Sequence, residues 1–386
     1  MTNQHEAVIV AYGRTPLTRA FKGGFAYTHP THYTATALKG VLEKVPQLDV
    51  STIEDVIVGN AMPERYTGYN IARLVAQKAG IPDVVPAQTI NRFCSSGVQA
   101  IATAANAIEA GQMDVVVAGG VEMMTGMAMG HPEEFHDQEL AAMIPGTYMA
   151  MGETAEIVAE RYHVTREEME NMAVESHQKA YAAQEAGKFD DEIIPVTVNG
   201  ENGLVTLTKD EGIRPSTTVQ KLAKLDPCFR ENGLITAATS SQMTDGASFV
   251  VLMSRKRAAE LGCTPIARYA SFVVAGVPAE VMGIGPVAAV PKALEKAGIT
   301  MADLDVIELN EAFAAQAIAC INELDLPKDK INPNGGAMAL GHPMGATGTI
   351  LTCKAISELN RTGGKYALIT MCIGGGMGAA GVLVME

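Results

Sequence analysis

One cysteine lies where the chain changes from an extended pattern to an alanine-rich helical one. Cys94 lies within residues 91–97 (NRFCSSG), so its sulfur is expected at a helix N-terminus. The partial positive charge there, with a nearby imidazole, would lower a thiol pKa of about 8.5 toward or below neutrality. A single cysteine in such a place is more often a buried structural residue. Its use as a nucleophile therefore depends on what the rest of the chain places beside it.

Three further groups lie at comparable strand or helix ends. His342 lies within the glycine-flanked residues 341–348 (GHPMGATG), and an imidazole near Cys94 would accept its proton. Asn310 follows a strand pattern and could hold a water or a developing oxyanion, although asparagine is equally suited to a helix N-cap. Cys372 ends another strand pattern. Because ligands bind beyond the carboxyl ends of strands in open α/β sheets, we expect these side chains to converge.

The chain after Cys372 is rich in glycine. Residues 376–381 (GMGAAG) formally match GxGxxG, but only five residues follow them. That leaves no room for the helix, strand and acidic ribose contact of a dinucleotide site. The glycines would instead let backbone N–H groups approach a reacting carbonyl beside Cys372.

The elements that must position these groups occur twice. Three pairs match at separations of 250, 248 and 252 residues: residues 53–60 (IEDVIVGN) with 303–310 (DLDVIELN), Cys94 with His342, and Gly120 with Cys372. Three matches at nearly one separation indicate two copies of one unit. Each copy alternates apolar strand patterns with helical ones, so we expect an α/β fold with sheets covered by helices.

Residues 121–248 separate the two copies and differ from them in composition. Their methionine-rich first part suits an adaptable apolar wall as well as ordinary core. Residues 165–168 (TREE) have the capping-box signature, which predicts the start of a charged helix. Arg214, Lys221 and Lys224 are either part of a solvated face or contacts for a phosphate-bearing ligand.

Composition narrows the class of protein. The 386 residues are 47% hydrophobic and can bury the core of more than one domain, or of one duplicated domain. A net charge of −14 argues against nucleic acid or an anionic membrane as the main partner. No signal-peptide pattern or membrane-spanning apolar run is present, so we expect a cytoplasmic protein without membrane insertion. The 6 scattered cysteines indicate reduced thiols, and nothing demands a metal.

Together these motifs resemble those of the thiolases, the acetyl-CoA acyltransferases. The resemblance covers essentially the whole chain and rests on four segments in the family's order and approximate spacing: residues 91–97, 310–313 (NEAF), 341–343 (GHP) and 372–376 (CIGGG). It implies a duplicated thiolase fold, with two similar βαβαβαββ halves packed in layers and an inserted loop domain over the site. It also implies homodimers, often paired into homotetramers. The expected units are residues 1–120 plus about 249–268, residues 121–248 as the loop domain, and residues 269–386.

The resemblance further implies a ping-pong acyl transfer between acyl-CoA and CoA, with CoA as substrate or product and no permanently bound cofactor. Cys94, deprotonated by His342, would carry the acyl group, and Cys372 would move the proton at the α-carbon of acetyl-CoA. One oxyanion site would consist of His342 with a water held on Asn310. The other would consist of the backbone N–H groups of Cys94 and Gly374.

The substrate side carries one informative departure from the family. Many acetoacetyl-CoA-specific members have a histidine where this chain has Ala150, and a smaller side chain leaves space for methylenes. This favours a 3-ketoacyl-CoA thiolase of fatty-acid β-oxidation over a biosynthetic acetoacetyl-CoA thiolase. Ser241 aligns with the family's pantetheine-contacting serine. The remaining candidates for substrate or CoA contacts are Met151, Met243, Phe313, Arg214, Lys221 and Lys224.

Two other interpretations stay open. A decarboxylating or acyl-carrier-protein-linked condensing enzyme would share the architecture, but it would not need Cys372 as a second cysteine. A noncatalytic acyl-CoA or lipid binder on the same scaffold would be expected to lack Cys94 or His342, and this chain has both.

Overall fold

A computed structural model describes residues 4–127, 132–200 and 203–386. The strands are β1 (Ala7–Arg14), β2 (Thr18–Arg19), β3 (Asp55–Gly59), β4 (Ala87–Ile90), β5 (Val115–Met123), β6 (Val196–Gly200), β7 (Gly203–Leu207), β8 (Thr244–Ser254), β9 (Ala267–Gly276), β10 (Val306–Leu309), β11 (Tyr366–Ile373) and β12 (Met377–Met385). The α-helices are α1 (Pro30–Leu42), α2 (Ile71–Lys78), α3 (Ser96–Glu109), α4 (Gln138–Met143), α5 (Met151–Arg161), α6 (Arg166–Glu185), α7 (Val219–Leu222), α8 (Arg255–Leu261), α9 (Gly285–Ala297), α10 (Ala314–Glu323), α11 (Ala337–Leu340) and α12 (Met344–Thr362).

The main sheet shows the duplication directly. Its strand order is β10-β11-β12-β9-β1-β8-β5-β3-β4. The two halves meet at β1 and β9, where the pairing is a single residue pair, Ile9 with Ala267. On either side of that junction the order repeats: β1, β8, β5 and β3 correspond to β9, β12, β11 and β10. The predicted internal duplication is therefore confirmed.

The helices form three layers around these two half-sheets. The central layer consists of α3 and α12, which pack on each other and on strands of both halves. One outer layer, α1 and α2, covers the first half-sheet, and the other, α9 and α10, covers the second. A continuous apolar core surrounds the central pair, with Ile101 and Ile356 fully buried. The predicted α/β fold with layered halves is confirmed.

The capping box holds: Thr165 is the N-cap of α6, and its side chain and that of Glu168 satisfy each other's backbone N–H groups. Residues 377–381 of the glycine-rich tail lie in β12, which pairs with β11 and β9, and do not form a loop that leads into a helix. The predicted limits of the inserted region, residues 121 and 248, fall inside strands, because β5 continues to Met123 and β8 begins at Thr244.

A buried ionic cluster ties the inserted region to the first strand. Arg14, at the end of β1, is fully buried and contacts two carboxylates of the insertion. Its Nε lies 2.7 Å from Glu192 Oε1, and its Nη1 lies 2.8 Å from Asp210 Oδ1. Asp210 Oδ1 also accepts a hydrogen bond from the backbone N–H of Leu17 at 2.8 Å. This cluster fixes how the inserted region sits on the half-sheet.

The described residues also show how the chain stands with respect to membrane-spanning helices, metal-ligand clusters and disulfides. None of their helices combines the length and apolar character that crossing a bilayer requires. They contain no group of three or more His, Cys, Asp or Glu side chains placed to hold a metal ion. All six cysteines are free thiols.

Replacing Arg14 by methionine is expected to destabilise the fold. Arg14→Met leaves the carboxylates of Glu192 and Asp210 buried without their cation, which costs about 3–5 kcal/mol. Urea titration followed by circular dichroism measures the loss. The control is Lys256→Met, which removes an exposed pair with Glu260 and should cost less than about 1 kcal/mol. Equal losses in the two variants would show that the buried cluster does not anchor the insertion.

Candidate active site

Cys94 lies in a short 3-10 turn, Phe93–Ser95, directly before α3, as predicted. The turn is sharp, because Phe93 adopts a left-handed backbone with φ of 43°. Ser96 stabilises it: the Ser96 hydroxyl accepts a hydrogen bond from the Arg92 N–H at 2.8 Å and donates one to the Phe93 carbonyl at 2.7 Å. Cys94 itself stays partly exposed. The turn therefore places the sulfur in front of the helix, where the surrounding protein encloses it although the residue as a whole keeps some exposed surface.

The predicted lowering of the Cys94 pKa is wrong for the ligand-free protein. Enclosure by the surrounding protein raises the pKa of this thiol to about 11, while the backbone N–H of Gly374 acts in the opposite direction. Desolvation disfavours the charged thiolate, and here it outweighs the backbone N–H groups of Gly374 and Cys94 that favour it. The resting group is thus a neutral thiol, which must lose its proton as it attacks.

His342 can accept such a proton. Its ring is buried, and burial lowers its pKa to about 4, so the imidazole is neutral at pH 7. Nδ1 lies 2.6 Å from the Thr347 hydroxyl, and Nε2 lies 3.4 Å from Asn310 Nδ2. A ring protonated on Nδ1 satisfies both contacts, because Nδ1–H donates to Thr347 and Nε2 accepts from Asn310. The basic nitrogen of the pair is then Nε2.

Asn310 is not a helix N-cap, because α10 begins later and its N-cap is Phe313. Asn310 follows β10, is almost fully buried, and donates its backbone N–H to the Thr370 carbonyl at 3.0 Å. Its side-chain oxygen has no hydrogen-bond partner among the residues that the structure describes. A buried amide oxygen without a partner is costly unless a water or ligand donates to it. This agrees with the predicted water-holding role.

The second thiol lies beside the first. Cys372 is buried near the end of β11, where burial raises its pKa well above the usual range and the neighbouring Cys94 thiol raises it further. Gly374, two residues later, directs its backbone N–H toward the Cys94 sulfur. Strand β11 belongs to the second half-sheet and Cys94 to the first. The structure thus brings together two thiols and one backbone donor from opposite halves of the chain.

The N-termini of α3 and α12 make this convergence possible. A Cβ at Gly97 would stand 2.7 Å from the Thr349 hydroxyl and 2.9 Å from the Gly345 carbonyl oxygen, too close for any other residue without a shift. The two helices therefore approach backbone to backbone at their first turns. Cys94 precedes one helix and His342 precedes the other, so the same contact sets their relative position.

Four of the predicted substrate contacts lie in segments next to this centre. The Ser241 N–H donates to the Ala312 carbonyl at 2.9 Å, which holds residues 239–244 against the segment that follows Asn310. Met243 lies in that same partly buried segment. The Met151 sulfur lies 3.5 Å from where a Cβ at position 374 would stand. Phe313 is buried in the same apolar cluster as Cys372.

The three basic candidates lie farther out. Arg214, Lys221 and Lys224 are exposed, and the Lys221 ammonium donates to the Ser216 carbonyl at 2.7 Å. The intervening Leu222 packs into the cluster that contains Cys372, so α7 forms part of the site's outer wall. Contacts of these residues with a CoA nucleotide stay a prediction.

Sequence reasoning missed several groups that support the site. Thr347 orients the His342 ring from five residues down the chain, within the same GHPMGATG segment. Glu311 lies inside the NEAF segment but faces away from the thiols, and it accepts hydrogen bonds from Ser176 at 2.7 Å, Asn332 at 2.9 Å and the Met338 N–H at 3.2 Å. Its position next to Asn310 was the available signal. The motif alone could not show which way the carboxylate points.

Comparison with known proteins agrees with this geometry. The family models "Thiolase, N-terminal domain" and "Thiolase, C-terminal domain" match residues 7–256 and 263–385. The chain is 48% identical to the 3-ketoacyl-CoA thiolase of Bacillus subtilis, over 98% of each chain. It superimposes on the crystal structure of the Bacillus anthracis acetyl-CoA acetyltransferase with a TM-score of 0.92 at 38% identity, over 100% of each chain. The dimeric peroxisomal thiolase of Saccharomyces cerevisiae gives 0.90 at 36% identity, covering 100% of this chain and 99% of that one.

The two matched family models together cover nearly the whole chain. Their boundary lies in the segment between β8 and β9, where the chain passes from the first half-sheet to the second. The chain belongs to the thiolase family.

The raised pKa of Cys94 predicts how the free protein reacts with iodoacetamide. Since the pKa is about 11, the thiolate fraction should rise about tenfold per pH unit between about pH 7 and pH 9. Mass spectrometry of the peptide that contains Cys94 measures the labelling rate. The exposed Cys228 in the same samples controls for reagent decay. A Cys94 rate that levels off below about pH 8 would mean that the helix terminus outweighs burial.

Proposed function

We propose that this protein is a 3-ketoacyl-CoA thiolase. The reaction interconverts acyl-CoA plus acetyl-CoA with 3-ketoacyl-CoA plus CoA, and the acyl group passes through Cys94. The juxtaposition of Cys94 and Cys372 carries this proposal, because the two thiols lie close enough for one to raise the pKa of the other. Breaking a carbon–carbon bond next to a thioester needs both a nucleophile for one carbon and a proton for the other.

In the thiolysis direction the groups act in sequence. The Cys94 sulfur attacks the C3 carbonyl of the 3-ketoacyl-CoA and its proton passes to Nε2 of His342. The C2–C3 bond then breaks, and the electron pair left on C2 takes the proton of Cys372, which releases acetyl-CoA. The sulfur of a free CoA finally attacks the acyl-Cys94 carbonyl while its proton passes to the Cys372 thiolate. Acyl-CoA then leaves, and His342 returns its proton to the Cys94 sulfur, so that both thiols are restored. The raised pKa of Cys372 keeps it protonated, as its donor role requires.

We assign oxyanion stabilisation to the Gly374 N–H, which faces the Cys94 sulfur, and to the pair of Asn310 and His342. The Gly374 N–H, directed at Cys94, would donate to one thioester oxygen, and a water on the unpartnered Asn310 oxygen would serve the other with His342. Donors that are fixed before the reaction pay no reorganisation cost when charge develops. Each such donor is typically worth about 10²–10³ in rate.

The residues on the substrate side of the site favour a degradative role in β-oxidation, with acceptance of acyl chains of different lengths. Ala150 precedes α5 as an exposed small residue, where a larger side chain would narrow the approach to Met151. The B. subtilis relative is named a 3-ketoacyl-CoA thiolase. The second candidate is an acetoacetyl-CoA thiolase, favoured by the likeness to the B. anthracis acetyl-CoA acetyltransferase.

We also propose that the protein works as a homodimer in the cytoplasm. Strand β4 is the last strand at its end of the described sheet, so its outer N–H and C=O groups could pair with those of a second copy. The yeast relative is described as dimeric. Light scattering of the purified protein distinguishes a homodimer from a homotetramer.

Removing the second thiol should separate the two half-reactions. Cys372→Ala is expected to form acetyl-enzyme from acetyl-CoA but to lose carbon–carbon bond formation, since the α-carbon has no proton partner. Intact mass spectrometry measures acetylation, and acetoacetyl-CoA absorbance measures condensation. Cys94→Ser, expected to form no stable acetyl adduct, is the control. Loss of acetylation and condensation to the same degree in Cys372→Ala would contradict separate roles.

Chain-length dependence decides between the two thiolase types. The proposal expects thiolysis of 3-ketoacyl-CoA substrates to continue with chains well beyond four carbons, because Ala150 leaves space for added methylenes. Rates are compared for substrates from C4 to C16, with carbon dioxide release monitored to detect a decarboxylating reaction. Ala150→His is the matched variant and should lose the longer substrates selectively. Activity confined to C4 in the unmodified protein would favour the acetoacetyl-CoA thiolase.

A further inference from the structure

Glu122 is a buried carboxylate to which the proposed reaction gives no role. It is the penultimate residue of β5 and is 1% exposed. No Lys, Arg or His within residues 4–127, 132–200 and 203–386 forms an ion pair with the Glu122 side chain. Instead, Asn60 Nδ2 donates to Oε1 at 2.7 Å, and the Ala61 N–H donates to Oε2 at 2.9 Å. Burial of an acidic group at this depth calls for a reason.

The remaining contact of Glu122 reaches the other half of the molecule. The N–H of Gly345, the second residue of α12, donates to Glu122 Oε2 at 2.9 Å. This N–H belongs to the first turn, where helix N–H groups have no partner within the helix and the dipole favours a negative charge. The carboxylate of the first half therefore caps the helix that follows His342.

The backbone position of His342 and the Thr347 hydroxyl that orients its ring both depend on this turn. His342 precedes Gly345 by three residues, and Thr347, which contacts Nδ1, follows it by two. A Cβ at Gly345 would stand 2.6 Å from the Asn60 Cα, so the turn also lies directly on the loop after β3. A shift of the turn would move the imidazole and its orienting hydroxyl together.

The duplication gives this contact a counterpart. Since Gly120 aligns with Cys372, Glu122 aligns with Gly374. In the second half, Gly374 at the end of β11 directs its N–H toward Cys94, in front of α3. In the first half, Glu122 at the end of β5 contacts α12. The end of each strand thus contacts the start of a helix in the opposite half. The end of β11 does so with the Gly374 backbone N–H as donor, and the end of β5 does so with the Glu122 carboxylate as acceptor.

We propose that Glu122 is a positioning residue: its carboxylate fixes the first turn of α12 and thereby holds His342 in register with Cys94. This inference rests on the proposed thiolase reaction. Misplacing a reacting group by about 1 Å costs about 10²-fold in rate. Losing the carboxylate should therefore slow acylation without weakening substrate binding.

The contact should also depend on pH. Burial raises the pKa of Glu122 to about 7, against the lowering effect of its hydrogen-bond donors. Below that pH the carboxyl is protonated and accepts fewer of these hydrogen bonds, so acylation should fall as the pH drops through 7. Among the described residues, the titratable groups near it are Tyr33, whose hydroxyl donates to the Glu122 carbonyl at 3.0 Å, Asp245, which acts on the same tyrosine, and Cys94, whose pKa the Glu122 charge raises. His342, with its pKa near 4, would by itself give a much lower acid limb.

Rapid-quench acetylation by acetyl-CoA, read by intact mass across about pH 5 to pH 9, tests the proposal. We expect Glu122→Gln to lower the acetylation rate constant about tenfold to a hundredfold, to leave the KM for acetoacetyl-CoA within about twofold, and to move the acid limb to lower pH. Asp55→Asn is the control: Asp55 is a buried carboxylate on β3 that accepts from Gln88, at the opposite end of the strand from Asn60. It should keep the rate constant and the limb.

Should Glu122→Gln not fold, Glu122→Asp replaces it. Asp keeps the charge but is one methylene too short to serve both Ala61 and Gly345, so the same slowing is expected. Unchanged acetylation kinetics and pH profile in either variant overturn the role of Glu122 while the reaction itself stands. An unmodified protein that forms no acetyl-enzyme would instead overturn the proposed function, and the role of Glu122 with it.

Discussion

The backbone contact between the first turns of α3 and α12 is the constraint on which the site depends. Each helix belongs to a different copy of the repeated unit, and each begins just after a residue that carries chemistry. Only glycine at position 97 permits the approach, because a side chain there would meet the carbonyl oxygen of Gly345 at 2.9 Å. The catalytic geometry is thus a property of the interface between the halves. Neither half contains a complete site.

Burial sets the electrostatics of that interface. It raises the pKa of both thiols and lowers that of His342, so the ligand-free centre consists of neutral groups. A neutral thiol and a neutral imidazole cost little to desolvate, whereas a preformed thiolate–imidazolium pair would cost much more. Charge then develops only when a substrate is present, where the backbone N–H of Gly374 can stabilise it. Substrate and protein together create the reactive state.

The buried polar side chains around the site mainly hydrogen-bond to the backbone and fix its geometry. Glu311 binds the Met338 N–H in the first turn of α11. Asn332 holds the end of β10 through Leu309 at 2.9 and 3.0 Å, and Glu122 holds the start of α12. Buried carboxylates that accept several backbone N–H groups are satisfied without a cation and make a local geometry hard to change. The inserted region is held in a different way. Its carboxylates Glu192 and Asp210 form a buried ionic cluster with Arg14 of β1.

The sequence by itself determined the repeated α/β unit, the strand ends that carry Asn310 and Cys372, and the helix start at Cys94. These follow from periodicity, glycine placement and matching segments, which are local properties of the chain. The tertiary structure alone decided that the Cys94 pKa rises, that Glu311 faces away from the thiols and that Glu122 meets α12. Each of these depends on desolvation or on contacts between residues far apart in sequence, such as Glu122 and Gly345. Such terms have no signature in local residue patterns, because the burial of a group is fixed only when the whole chain has folded around it.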